Sequence, residues 1–425
     1  MSYRAPRGTH DVLPAEAARW RFVEATFCRI CALFGYGEIR TPVFEQTELF
    51  TRSVGEHTDI VSKEMYAAVP SGPRAGKGEA LTLRPEGTAP VMRAYLQHSL
   101  GGQSALVKLY YICPVFRHER PQAGRLRQHH QTGIEVIGSP GPAIDAEVIS
   151  LGLAYLHALG IEGETLQINS VGCPQCRPAY RERLRDALRP ALPRLCGDCR
   201  RRFEVNPLRM LDCKVEKWDE LPPTPSLLDH LCEECATHFD RLRAILDDLS
   251  VPYAVNPRLV RGFDYYTKTA FEITHDALGA QSTVLGGGRY DGLIEELGGK
   301  PTPGIGFGCG IERVLLIAEQ LGLTEGWDKG ESAPVVVAAV DAEARAAARQ
   351  LLAELRAAGI PAETDYLGRS LKAQMRAANR LGARAVLILG SDELAAGTVT
   401  LRDLRTREQA VVPRDEAVAR LLPDA

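Results

Sequence analysis

The apolar positions change their period more than once along the chain. Residues 16–34 space Phe22, Val23, Phe27, Ile30 and Leu33 mostly three and four apart, the stripe of an amphipathic helix, and Gly35 follows where a C-cap belongs. An extended stretch with Pro42 comes next, and Glu48, Leu49 and Phe50 open another helical segment. ALVKLYYICPVF (105–116) and TGIEVIG (132–138) read as strands, and the long basic segment between them predicts an antiparallel pair. Residues 143–159 carry a helix pattern that stops before Gly160. Extended sequence resumes at Tyr253 and runs through RGFDYYTKTAFEIT (261–274) and VLGGGRYDGLIEELGG (284–299). The segment 304–322 passes from a strand or turn into a helix. If 261–266 alternates as a strand, Arg261, Phe263 and Tyr265 share one face and Asp264 and Tyr266 the other.

Beyond residue 333 the pattern becomes strand 334–340, helix 343–358, strand near 360–366, helix 370–381 and strand 383–390. Further extended sequence and a last helix follow. Alternating strands and helices predict a small α/β domain over 334–425. Residues 323–333 lack apolar periodicity and read as a linker. The first 322 residues read as α+β with a largely antiparallel sheet, interrupted at about 171–248 by an inserted, mostly helical subdomain with cysteine pairs, Arg200-Arg201-Arg202 and a proline cluster.

A chain of 425 residues, 45% hydrophobic and 25% charged, suffices for two or three domains with cores of their own. It has neither an apolar run long enough to span a bilayer nor an apolar leader, so a cytoplasmic location is expected. A formal net charge of -3 excludes nucleic-acid binding by bulk charge alone but leaves room for a local patch. FRHERPQAGRLRQHHQTGIEVIG (116–138) is such a patch, with Arg117, Arg120, Arg125 and Arg127 against Glu119. Guanidinium groups between two strands suit a polyphosphate, which they meet in bidentate, charge-assisted bonds. In TLRPEGTAPVMRAY (82–95), Glu86 and Thr88 flank a glycine that lets a ligand ammonium approach, although an ordinary turn reads the same way. The glycines of LGGGRYDGL and GIGFGCGIER permit close backbone approach but form neither a P-loop nor a dinucleotide fingerprint. Of eleven cysteines, seven lie between Cys173 and Cys235: Cys173, Cys176, Cys196, Cys199, Cys213, Cys232 and Cys235. Four thiolates make a tetrahedral zinc site. With three CxxC pairs present the ligand set stays open, as does the alternative of reduced, buried thiols.

Together these motifs resemble the class II aminoacyl-tRNA synthetases, and within them the histidyl-tRNA synthetases. FRHERPQAGRLRQ is similar to the class's second motif, GIGFGCGIERVLL (304–316) to its third, and TPVFEQTELF (41–50) to its first, which belongs to a dimer interface. RGFDYYT and GGRYDGL resemble two signatures of the histidine branch, and the tail with SLKAQMRAANRLGA resembles its anticodon-binding domain. The resemblance implies a catalytic domain over 1–322 and an anticodon-binding domain over 334–425. It also implies a homodimer without membrane attachment, whose partners are L-histidine, ATP with Mg²⁺, and tRNA(His).

Residue by residue, the resemblance puts Arg117 at the α-phosphate, Arg125 at the outer phosphates, Arg313 across the nucleotide and Glu119 at the adenine side. Arg261 acts at the α-phosphate, and Arg117, Arg261 and Arg313 form the catalytic set. Glu86, Thr88 and Gln131 hold the α-ammonium group. Glu135 and Tyr266 pair with the imidazole nitrogens, and Tyr265 lines the same pocket beside Arg117 and Arg261. His129 stands where relatives stack adenine on Phe, and Phe263 replaces a Leu, a core-like change. Arg120 and Gln122 match positions that meet the extra 5′ guanosine of the tRNA. Lys372, Arg376 and Arg380, four apart on one helix, offer either a phosphate-facing surface or a solvated stripe. Two other readings compete: a regulatory paralogue that has lost catalysis, which the retained arginines and the full tail disfavour, and a synthetase for another amino acid, which RGFDYYT disfavours.

Overall fold

The computed structural model describes residues 3–55, 58–69, 80–122, 124–213, 215–330 and 333–422. The chain forms two compact units, 1–327 and 328–425. The first holds strands β1 (Gly37–Glu38), β2 (Phe44–Gln46), β3 (Tyr66–Ala68), β4 (Leu81–Leu83), β5 (Val107–Phe116), β6 (Gln128–Ile137), β7 (Thr165–Ser170), β8 (Ala254–Val255), β9 (Thr267–Thr274), β10 (Thr283–Arg289) and β11 (Gly304–Gly310). Eight of them make one sheet in the order β1-β5-β6-β11-β10-β9-β7-β8, antiparallel except at its two edges, while β2-β4-β3 form a small sheet. The expectation of α+β with a largely antiparallel sheet holds.

Strand alternation sorts the side chains of the large sheet. Ile134, Val136, Phe271, Ile273, Ile305, Phe307 and Cys309 face one core, which helices Pro14–Leu33, Pro142–Ala158 and Ile311–Gln320 help to cover. The opposite face carries Gln131, Gly133, Glu135 and the alternate glycines 304, 306, 308 and 310 of β11. It is therefore low in the middle, and the functional cavity lies there.

Behind the sheet, Arg289 is fully buried and clamps Asp145 through Nε at 2.8 and 3.0 Å. It also donates to the carbonyls of Ser139 and Gly141. Asp145 further receives Thr269 Oγ1 at 2.5 Å and lies 2.8 Å from His238 Nε2. A buried charge is tolerated when its remaining bonding capacity is filled, as here.

In the first unit three expectations change. Residues 261–266 are turns rather than strand, and regular β structure begins only at Thr267. Arg177 donates to the Tyr266 carbonyl, Arg209 to the Gly262 carbonyl at 2.5 Å and Asn206 to Asp264 Oδ1 at 2.9 Å. These bonds take the place of a neighbouring strand, so Tyr265 and Tyr266 are both buried instead of facing opposite ways. Second, helix Glu233–Asp248, expected within the insertion, packs Phe239, Leu242 and Leu246 into the main core. Third, the expected linker begins inside the first unit. Leu323–Gly330 coils in 3-10 turns, and buried Trp327 stacks on Phe22 with ring centroids 5.0 Å apart.

The second unit has strands β12 (Val335–Ala339), β13 (Ala362–Thr364), β14 (Ala385–Leu389), β15 (Thr398–Asp403) and β16 (Gln409–Pro413) in the order β13-β12-β14-β15-β16. The first three are parallel and the last two antiparallel. Helices Ala344–Ala357 and Leu371–Arg380 pack against separate apolar clusters of this sheet. The last helix expected from the sequence is only a 3-10 turn, Ala419–Leu421.

Candidate active site

A cavity of about 370 Å³ opens over the glycine floor of β10 and β11. At one end the basic hairpin reaches in. β5 and β6 pair from Val107↔Ile137 to Phe116↔Gln128, and the chain beyond stays paired through the Arg117 N–H to the Arg127 carbonyl at 2.9 Å. At the tip Gln122 and Arg125 exchange backbone bonds of 3.0 and 2.9 Å. This ladder turns Arg117 and Arg125 into the cavity and leaves Arg120 and Gln122 exposed outside it.

Each guanidinium is braced. Arg117 Nε donates to the Pro85 carbonyl at 2.8 Å and its head lies 5.9 Å from the Phe263 ring. Phe263 packs against two apolar clusters, as expected of a core-like residue, and also lines the cavity. Arg125 pairs with buried Glu119 at 2.5 Å. Arg313 donates to the carbonyls of Thr283 and Gly124 at 2.5 and 3.1 Å. Arg261 pairs with Glu272, lies 5.8 Å from the Tyr266 ring, and fills the space over Gly286, where a Cβ would stand 2.4 Å from its Nη2. Its Nε is buried without a hydrogen-bond partner among the described residues, as are Gln131 Oε1 and His129 Nδ1. The Tyr265 hydroxyl is a fourth such atom, and because buried polar atoms are costly to leave unpaired, four around one cavity point to a polar ligand.

Burial, reinforced by the cations Arg117 and Arg313, pushes His129 down to about 3. The ring is neutral at physiological pH. A flat, uncharged face between two guanidinium groups remains suited to an aromatic base.

At the other end Glu86 and Thr88 flank the start of helix Thr88–Gln97. Both oxygens of Glu86 are engaged by that helix, accepting the Thr88 N–H at 2.6 Å and the Ala89 N–H at 2.8 Å, which satisfies two otherwise orphan donors. Burial still raises its pKa. Gln131, Tyr265 and Tyr266 join Thr88 in the cavity wall.

Glu135 stands one layer deeper than expected. Its carboxylate is fully buried beneath the wall, with Thr88 Oγ1 donating to Oε1 at 2.7 Å and Tyr290 donating to Oε2. Burial is the main reason its pKa is pushed up to about 8. The sequence reading assigned no role to Tyr290, which lies 155 residues from Glu135. Glu272 was also passed over, although an acid within the otherwise mostly buried strand β9 was a visible signal.

Among the cysteines, Cys173, Cys176, Cys232 and Cys235 form one cluster, and Cys196, Cys199 and Cys213 form another with Glu216. No helix among the described residues is long and apolar enough to cross a membrane.

Comparison with known proteins agrees with this geometry. A family model described as Histidyl-tRNA synthetase matches residues 8–314, and one described as Anticodon binding domain matches residues 334–423. The histidine–tRNA ligase of Desulforamulus reducens is 52% identical over 97% of this chain and 97% of its own length. That of Desulforudis audaxviator is 52% identical over 100% of both. The crystal structure of apo S. aureus histidyl-tRNA synthetase superposes with a TM-score of 0.82 at 36% identity, covering 99% of each chain. Likeness at this level runs through both units, and the chain belongs to the histidyl-tRNA synthetase family.

Proposed function

We propose that this chain activates L-histidine with ATP and transfers it to the 3′ end of tRNA(His). The observation that carries the reading is a single cavity with four braced arginines and, at one end, buried tyrosines over a deep carboxylate. In the first step a histidine carboxylate oxygen attacks the α-phosphorus and pyrophosphate leaves. The nucleophile is already ionised, so the protein needs charge stabilisation rather than a base. Arg117 and Arg261 meet the α-phosphate, Arg125 the outer phosphates, and Arg313 lies along the nucleotide, with adenine between His129 and the Glu119 side. Mg²⁺ would be carried by the oxygens of the nucleotide phosphates themselves, while Glu312 in the cavity wall is held through both oxygens by the His130 N–H at 2.9 and 3.0 Å. In the second step a terminal ribose hydroxyl attacks the carbonyl carbon and AMP leaves.

Glu86, Thr88 and Gln131 hold the α-ammonium group. Tyr266 and Glu135 pair with the imidazole nitrogens. Thr88 and Tyr290 engage Glu135, and on histidine binding an imidazole nitrogen takes the place of the Thr88 hydroxyl. A site that satisfies both nitrogens rejects side chains lacking them, since its own buried groups are then unpaired. Arg120 and Gln122 contact the tRNA end, and the exposed Lys372, Arg376 and Arg380 contact its phosphates. Exposed Val43 and Phe44, in the segment resembling the first class motif, support a homodimer. The protein works in the cytoplasm. The deciding assay is ATP–pyrophosphate exchange with each amino acid in turn: exchange with histidine alone supports the reading, and exchange with another amino acid or with none overturns it.

A further inference from the structure

We propose that the insertion binds two zinc ions, one held by Cys173, Cys176, Cys232 and Cys235 and the other by Cys196, Cys199, Cys213 and Glu216. In each set the ligand atoms all lie within 4.8 Å of one another. The sulfur spacings discriminate between possible bonds. Cys173 Sγ lies 3.6 Å from Cys176 Sγ and 3.8 Å from Cys232 Sγ, and Cys196 Sγ lies 3.8 Å from Cys213 Sγ. A disulfide requires about 2.05 Å. Zinc–sulfur bonds of about 2.3 Å, arranged tetrahedrally, put neighbouring sulfurs about 3.8 Å apart. The carboxylate in the second set favours zinc, which accepts mixed sulfur and oxygen donors, over an iron–sulfur centre.

The backbone prepares both sets. Each CxxC pair sits at the start of a helix: Arg177–Leu188, Gly197–Val205 or Glu233–Asp248. Amide N–H groups point at the sulfurs, Cys232 N to Cys176 Sγ at 3.1 Å and Cys199 N to Cys196 Sγ at 3.4 Å. Glu216 accepts the Cys196 N–H at 2.7 Å, so its carboxylate is already oriented. Such outer contacts fix the ligands of built metal sites. On binding, each thiol releases its proton to solvent, and neither the ion nor sulfur changes oxidation state.

Both sites adjoin the grip on 261–266. Arg177, which holds the Tyr266 carbonyl, follows Cys176 directly, and Asn206 and Arg209 lie in the segment between Cys199 and Cys213. The ions thus fasten the scaffold that keeps Arg261 and the two tyrosines in the cavity.

The test is elemental analysis of full-length protein purified without chelators or metal-affinity resin. About two zinc per chain are expected, falling to about one in C232S, to about one in E216Q, and to none in the combined variant. A mercurial titration of the wild type, which needs no variant to fold, should release both ions as the seven thiols react. Wild-type protein with no zinc, with one, or with its cysteines mapped as disulfides overturns the proposal.

Discussion

The two units bury different things. In the first, Arg84, Glu86, Glu135, Asp145, Arg289 and Glu312 are all buried charged residues. In the second, Gln374 and Thr400 are the only buried polar residues among those described, and neither is charged. Its strands β12 and β14 are apolar throughout, and its cations Lys372, Arg376 and Arg380 stand on the exposed side of one helix. A small-molecule site must present charge where water is excluded, because electrostatic interactions are strongest there. A surface that follows a phosphate backbone keeps its charge in solvent, where salt competes with it. The difference in burial is in part a difference in ligand, since Glu86 and Glu312 line the cavity, and in part a matter of bracing, since Asp145 and Arg289 lie behind the sheet.

The contrast breaks most visibly at Asp145. Asp145→Ala takes from Arg289 its fully buried carboxylate and leaves it the half-buried Asp291 at 3.0 Å, so the cost should fall at the lower end of the range for breaking a buried pair, about 3 kcal/mol. Urea unfolding should show the first unit losing that much, with an isolated 333–425 fragment as the control. An Asp145→Ala protein of wild-type stability would mean that the burial contrast has no energetic weight.

Next is Arg261. Its removal should lower adenylation roughly 10²–10³-fold, the scale for one preorganised charge stabiliser, with much smaller changes in the Michaelis constants. Arg261→Lys should recover only part of the rate, since an ammonium is not a planar fork. Single-turnover adenylate formation is the measurement, and a folded Arg261→Ala with a near-normal rate would make the residue a structural partner of Glu272.

Glu135 sharpens the comparison through pH. Its folded pKa, about 8, lies above the ordinary 4.5, so the folded state holds a proton that the unfolded state has lost. Its stabilising contribution is full below about pH 4.5 and is lost as pH rises towards 8. Glu135→Gln should flatten that decline in thermal unfolding of the ligand-free protein. The same variant should weaken histidine use far more than ATP use. Equal losses for both substrates would remove Glu135 from the histidine end.

The boundary between the units offers a smaller effect. A fragment ending at residue 330 should fold and form adenylate but charge tRNA poorly. A fragment ending at Leu323 loses the stacking of Trp327 on Phe22 and should be about 2–3 kcal/mol less stable, the scale for exposing one large apolar side chain. Smallest of all, replacing Lys372, Arg376 and Arg380 by Ala should leave adenylation unchanged and raise the KM for tRNA a few-fold. Each lost phosphate contact should lower the salt-dependence slope by about 1.

What was legible in the sequence was what repeats locally. The periodicity of residues 16–34 and 143–159 and the paired strands around the arginine loop marked elements whose bonds are mostly near in sequence. The segment 261–266 was misread because its conformation is imposed by Arg177, Asn206 and Arg209, more than fifty residues upstream, and nothing in its own residues records them. The pairing of Tyr290 with Glu135 was hidden for the same reason. Glu216 is hidden differently: Cys213-x-x-Glu216 keeps the spacing of the neighbouring CxxC pairs, but a carboxylate in the last place breaks the all-sulfur pattern that marks them.

The glycine floor has a consequence for how this site can change over time. A Cβ at Gly306 would stand 2.1 Å from Glu135 Oε2, one at Gly308 1.8 Å from Gln131 Nε2, and one at Gly286 2.4 Å from Arg261. Each working side chain occupies the volume that its facing glycine leaves vacant, as a casting fills a mould. A larger residue at Gly308 or Gly286 therefore evicts a specific functional group, whereas one at Gly306 meets the Ile134 carbonyl at 2.2 Å as well as Glu135. Conversely, a smaller residue in place of Gln131 or Arg261 opens a void that a change at its own glycine can fill. A new specificity that reshapes the site at Gln131 or Arg261 then calls for a paired replacement, the side chain together with the glycine it covers.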